Sequence, residues 1–192
     1  MGSLLYDIDL TEIDPIQTGK KAPDFVLKNH LGKDWSLSEH LGQVVALLFY
    51  PKNETVVCTR QLCSVRDNWA DYLATKAVVV GVSPGSIEEH REFAENYRLP
   101  MPLLADTGRE VTKIFSRHPW LPVSWIRAIL VIDAKGIIRQ KKVMFRGFRP
   151  TDYSVITSIH QARTDVYQDK FSEMLKNHRD KIAKTKSKYG ID

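Results

Sequence analysis

Three features of this 192-residue sequence predict one α/β domain, a mixed central sheet flanked by helices. Two continuously apolar, β-rich runs, VVALLFY at 44–50 and AVVVGVS at 77–83, read as strands buried on both faces. Helical segments alternate with them through the middle of the chain. Near the end, the segments 129–133 and 137–143 flank Ala134-Lys135-Gly136, a hairpin turn that closes the sheet before a last long helix.

The elements follow in order. Residues 22–27 are extended, and Gly32 begins a turn before a short segment at 34–37. The strand at 44–50 stops at Pro51, and a polar loop leads to Cys58, where a helix is expected to begin. Leu62, Val65, Trp69 and Leu73 carry its apolar face to about Lys76. After the strand at 77–83, Ser86 starts another helix, with Glu89 three residues later completing a capping box. That helix ends near Tyr97, ahead of Pro100 and Pro102. A short strand at 103–105 and a short helix at 109–115 follow, and Pro150 and Thr151 introduce the last helix.

The chain is expected to comprise an N-terminal extension (1–18), a domain (19–178) and a basic C-terminal tail (179–192). Of the net charge of +5, most sits at the end: six basic residues from Lys176 onward face only Asp180 and Asp192. A nearly neutral body argues against a nucleic-acid-binding face. No stretch approaches the roughly 20 apolar residues that span a bilayer. The acidic start (Asp7, Asp9, Glu12, Asp14) does not resemble a secretory signal, and Tyr6 stands where a myristoylation motif after Gly2 wants Ser or Thr. A soluble, cytoplasmic protein is expected. The apolar stripe Phe171, Met174, Leu175, His178 and Ile182 reads as packing on the domain, with a partner or an anionic membrane surface as the alternative.

Chemistry concentrates at the two cysteines, in FYPKNETVVCTRQLCSVRD at 49–67. Two are too few for a disulfide framework or a four-ligand zinc site, and the six histidines show no ligand spacing. A helix N-terminus offers unpaired N–H groups and partial positive charge, which favour the reactive thiolate form of a cysteine. Cys58 stands at such a position, and Cys63, five residues on, gives an oxidised Cys58 something to react with. Redox chemistry is the leading reading of this segment, beside the plainer one of a small buried hydrophobe.

The spacing Pro51-x3-Thr55-x2-Cys58 resembles the active-site motif of peroxiredoxins, and CTRQLCSVRD (58–67) resembles their Q-type, or bacterioferritin-comigratory-protein, branch. KAPDFVL (21–27), GVSPGSIEEHREFAENYRLPMPLLAD (81–106) and RAILVIDAKGIIR (127–139) extend the similarity over about residues 19–160. The resemblance implies a thioredoxin-like fold and a thiol-dependent peroxidase that uses no metal, haem or flavin. It implies Cys58 as the peroxidatic and Cys63 as the resolving cysteine, Thr55 as a hydrogen-bonding partner of the peroxide, Pro51 as a shield and Arg127 as the active-site guanidinium. It also implies a hydroperoxide substrate, a thioredoxin-like reductant, and a monomer or weak homodimer. The plainer alternatives are a helix cap for Thr55 and an ordinary ion-pairing residue for Arg127. Arg66 and Asp67 read as a surface pair.

Two departures stand out. Val56-Val57 replaces the Pro-Gly step usual in Q-type relatives, making the entrance more apolar and stiffer. The C-terminal extension exceeds the compact Q-type domain. Residues five apart in a regular helix lie roughly 8.6 Å apart between Cα atoms, whereas a disulfide needs about 4.4–6.8 Å. Bonding Cys58 to Cys63 is therefore expected to unwind the start of the helix. The competing readings are a general dithiol–disulfide oxidoreductase, which the absence of Cys-x-x-Cys disfavours, and a non-enzymatic redox sensor or copper carrier.

Overall fold

The computed structural model describes residues 16–53, 55–118 and 120–189. Seven strands form one sheet: β1 (Val26–Asn29), β2 (Asp34–Ser36), β3 (Val45–Phe49), β4 (Val78–Ser83), β5 (Leu103–Ala105), β6 (Ile126–Ile132) and β7 (Ile138–Phe145). Their order across the sheet is β2-β1-β5-β4-β3-β6-β7. β3, β4 and β5 run parallel, and the other neighbours pair antiparallel, so the sheet is mixed as predicted. The helices are α1 (Val56–Asp67), α2 (Trp69–Ala74), α3 (Ile87–Tyr97), α4 (Glu110–Phe115) and α5 (Asp152–Tyr189).

Side chains alternate across a strand, and β3 divides the core on that period. Ala46, Leu48 and Tyr50 face one side with Cys58, Leu62, Phe93, Val155 and Ile159, which places α1, α3 and α5 on that face. Val45, Leu47 and Phe49 face the other side with Trp35, Val111 and Phe115, under α4. The capping box at Ser86 and Glu89 is formed in full.

Four expectations change. The helix at the cysteines begins at Val56, two residues before Cys58, and breaks at Asn68, whose side-chain amide donates to the Ser64 carbonyl (2.9 Å) and to Asp152 (3.3 Å). The first hairpin strand begins at Ile126, which puts Arg127 inside the sheet. Ile16, in the segment expected to be an extension, is buried against the α4 side of the core. Finally, the stripe on α5 does not pack on the domain. Val155, Ile159 and Ala162 are buried, but from Lys170 to Lys181 every side chain is exposed. Ile182 lies outside the described side chains, and residues 1–15, with the acidic and Gly2 features, lie outside the described residues.

Candidate active site

The site is built where β3 gives way to α1. Tyr50 points to the α1 face, and Pro51, buried, ends the strand. The loop that follows is held from beneath. Tyr50 Oη donates to Asn53 Oδ1 (3.0 Å), Ser83 Oγ lies 3.4 Å from the same oxygen, and His90 Nε2 lies 2.7 Å from Ser83 Oγ. Burial raises the Tyr50 hydroxyl well above its ordinary pKa and pushes the His90 imidazole down to about 4. Both groups therefore hold this loop in their neutral forms.

Thr55 then adopts extended backbone (φ −78°, ψ 144°) as the N-cap of α1, and its Oγ1 accepts from the Cys58 backbone N–H at 3.4 Å. Cys58 is thus the third helical residue, in the first turn, where backbone N–H groups lack intrahelical partners. From across the core, β6 delivers Arg127 on the same face as Ile129 and Val131. Its Nη2 lies 3.1 Å from Cys58 Sγ and 3.5 Å from the Arg146 carbonyl oxygen, and its Nη1 donates to Gln61 Oε1. Arg127 and Cys58 are both fully buried.

A buried guanidinium needs a compensating charge. Among the described residues Arg127 makes no ion pair with a carboxylate, and its Nε has no hydrogen-bond partner. The group beside it that can carry negative charge is the Cys58 sulfur. A fixed cation and a helix N-terminus converging on one sulfur form an arrangement suited to a nucleophilic thiolate.

At the start of α1 lies a cavity of about 620 Å³ whose wall includes Pro51, Lys52, Thr55, Val56, Val57, Arg109, Phe145 and Arg146. Val56 is exposed on this wall, beside the charged side chains of Lys52, Arg109 and Arg146. Pro51 and Thr55 line this cavity, while the buried Cys58 is not part of its wall.

Cys63 is not brought to Cys58. It is half-buried and free, one and a half turns further along the same unbroken helix. The flanking residues are tied elsewhere. Ser64 Oγ, Asn68 Nδ2 and Tyr72 Oη all donate to the Asp152 carboxylate at the start of α5. Arg66 keeps its pair with Asp67 (2.7 Å) and also donates to the Tyr97 carbonyl (2.7 Å).

Sequence reasoning missed Gln61, His90 and Asp152. Gln61 stands three residues after Cys58, a spacing that shares a helix face. His90 lies three residues inside a capped helix, with nothing local to mark its partner. Among the described residues no group of three or more His, Cys, Asp and Glu side chains is arranged to hold a metal ion. The copper-carrier reading thus finds no third ligand beside the cysteines in that set.

Comparison with known proteins gives a consistent result. The model of the AhpC/TSA family matches residues 18–141. A peroxiredoxin Q of Sedum lineare is 42% identical over 131 residues, 65% of this chain and 67% of that protein. A chloroplastic peroxiredoxin Q of Triticum aestivum is 37% identical over 131 residues, covering 65% of this chain and 58% of that protein. Peroxiredoxin Bcp of Bacillus subtilis is 40% identical over 100 residues, 52% of this chain and 64% of that protein. The chain thus spans about three fifths of the length of several relatives it matches. Among solved structures, the peroxidoxin BcpB of Mycobacterium tuberculosis superposes with a TM-score of 0.64 at 29% identity, covering 78% of this chain and 97% of that one. The sheet order and flanking helices are those of a thioredoxin-like fold.

Proposed function

Because the chain belongs to the AhpC/TSA family, the peroxiredoxins, we propose that it is a thiol-dependent peroxidase that reduces hydrogen peroxide and organic hydroperoxides through Cys58. The observation that carries this reading is the buried Arg127 guanidinium, 3.1 Å from a sulfur that is its available counter-charge. In the proposed cycle the Cys58 thiolate attacks one peroxide oxygen. An S–O bond forms, the O–O bond breaks, and alkoxide or hydroxide leaves and takes up a proton, so the sulfur is oxidised to sulfenic acid and the peroxide is reduced. Arg127 stays protonated at any physiological pH and stabilises negative charge both on the sulfur and on the leaving oxygen. Gln61 holds the guanidinium in place. The Thr55 hydroxyl, on the wall of the cavity at the start of α1, both donates and accepts and thereby orients the peroxide.

Cys63 then attacks the sulfenic sulfur, water leaves, and a Cys58–Cys63 disulfide forms. That step requires the first turns of α1 to unwind, because about 8.6 Å between Cα atoms exceeds disulfide reach. A thioredoxin-like dithiol donor reduces the disulfide and restores the helix. We further propose that the cycle runs in the cytoplasm, in a monomer or weak homodimer.

The test is intact mass after one equivalent of hydrogen peroxide. The wild type loses two hydrogens, Cys63→Ser gains oxygen, and Cys58→Ser is unchanged. A wild type that stays unmodified, or a Cys58→Ser protein that still reacts, overturns the proposal.

A further inference from the structure

Helix α5 changes its relation to the domain half-way along. Val155, Ile159 and Ala162 are buried, Arg163 donates to the Thr75 carbonyl, and Asp169 pairs with Arg139 of β7. At about 100° per residue these positions define the side of α5 that meets the sheet. The same rotation puts Glu173, Asn177 and Asp180 on that side in the turns that follow. Tyr167, Phe171, Met174, Leu175 and His178 then share a strip about 100° wide, roughly 135° round the helix from it. Tyr167 is 69% exposed, Phe171 and Met174 58%, and Leu175 47%. The strip is turned away from its own domain and needs a cover from elsewhere.

Charge selects the cover. Lys170 and Lys181 border one edge of the strip and Arg179 the other, while Asp169, Glu173 and Asp180 gather on the far side together with Lys176 and Lys184. In a second copy packed strip to strip, the basic edges would face each other with no acid to pair them. Aromatic and aliphatic side chains between basic borders, with acids at the back, suit the boundary between headgroups and acyl chains of an anionic bilayer. We propose that residues 167–181 of α5 lie on an anionic phospholipid surface, with the strip inserted and Lys170, Arg179 and Lys181 against the headgroup phosphates. No helix of the described residues is long and apolar enough to cross a membrane, so the contact is peripheral. It does not depend on the chemistry of Cys58.

The experiment is co-sedimentation of the full chain with vesicles of phosphatidylcholine alone or mixed with phosphatidylglycerol. Binding is expected only to the mixed vesicles, weakening with added salt. Lys170→Gln and Lys181→Gln should each weaken it about fivefold. Phe171→Ser combined with Leu175→Ser should weaken it at least about tenfold, with the thermal midpoint unchanged because neither side chain packs on the domain. Equal binding to both vesicle types, no binding to either, or a doubly substituted protein that still binds normally overturns the proposal. So does a reversible dimer, lost in the double variant, that shows no vesicle affinity.

Discussion

Cys58 and Cys63 share one helix, but the turns that carry them are held in different ways. The Cys58 turn is gripped by a charge: Arg127 contacts the sulfur and Gln61, and the loop leading into the turn rests on neutral Tyr50, Ser83 and His90. The Cys63 turn is gripped by its flanks, with Ser64 and Asn68 bonded to Asp152 and Arg66 bonded to Tyr97. In the proposed cycle, oxidation of the Cys58 thiolate to sulfenic acid would remove the negative charge facing Arg127 and leave the bonds around Cys63 untouched. The step that calls for Cys63 would then loosen the turn that has to move, with the Cys63 turn as the fixed post.

The largest effect should come from removing the charge. Arg127→Met is expected to slow peroxide consumption by about 10²–10³-fold, the usual loss for one preorganised donor at a developing anion. Arg127→Lys should fall in between, since it keeps charge without the two-pronged geometry that reaches both Gln61 and the sulfur. Stopped-flow peroxide consumption measures both. An undiminished rate in Arg127→Met would make the guanidinium a structural ion and break the contrast between the two turns.

Next comes the loop beneath the first turn. His90 is fully buried, and its folded-state pKa of about 4 lies below the unfolded value near 6.5. Between these values the unfolded chain takes up a proton that the folded protein refuses. The stabilisation is complete above pH 6.5 and is lost as pH falls towards 4, by about 3 kcal/mol. His30 is lowered as well, chiefly by burial, and acts in the same direction. Urea unfolding across this window should show the decline, and His90→Asn, a neutral hydrogen-bonding replacement, should remove most of the slope. A slope unchanged in His90→Asn would assign the pH dependence to other groups.

The second turn gives a smaller effect. Asp152→Ala strands the Tyr72 hydroxyl, which is fully buried, and frees Ser64 and Asn68. A cost of about 2 kcal/mol is expected. In the wild type, hydrogen exchange of the oxidised protein should show protection lost over residues 56–62 and kept over 64–74. In Asp152→Ala the loss should spread past residue 64. Equal protection of residues 56–62 in both redox states would mean that the disulfide does not form by unwinding this turn.

The asymmetry between the turns also marks how far the sequence could be read. Cys58, Thr55 and Pro51 lie within eight residues of one another, and a strand end, a cap and a helix start are local events that spacing reveals. The capping box at Ser86 and Glu89 was legible for the same reason. Gln61 and Asp152 were not, because each acquires its role from a partner 66 to 88 residues away. The break at Asn68 was hidden too: the apolar spacing from Leu62 to Leu73 continues through it, although Asn68 leaves helical backbone (φ −104°, ψ 21°) and its side chain bonds to Ser64 and Asp152. On α5 the stripe was visible but its direction was not. An apolar periodicity reports that a face exists, and only the docking of Val155 and Ile159 reports which way that face points.

The smallest effect separates the two readings of Thr55. As an N-cap, it is worth about 1 kcal/mol of stability, lost in Thr55→Ala and largely kept in Thr55→Asp, whose carboxylate accepts the Cys58 N–H. As a partner of the peroxide, it needs a hydroxyl that donates as well as accepts, which Thr55→Ser keeps and Thr55→Asp lacks. We expect stability to order as Thr, Ser and Asp above Ala, and the rate of peroxide consumption to order as Thr and Ser above Ala and Asp. If the rate follows stability through all four, Thr55 serves the reaction only by holding Cys58 in the first turn of α1. The charge-held turn would then consist of a cap and a cation, with the substrate oriented by Arg127 alone.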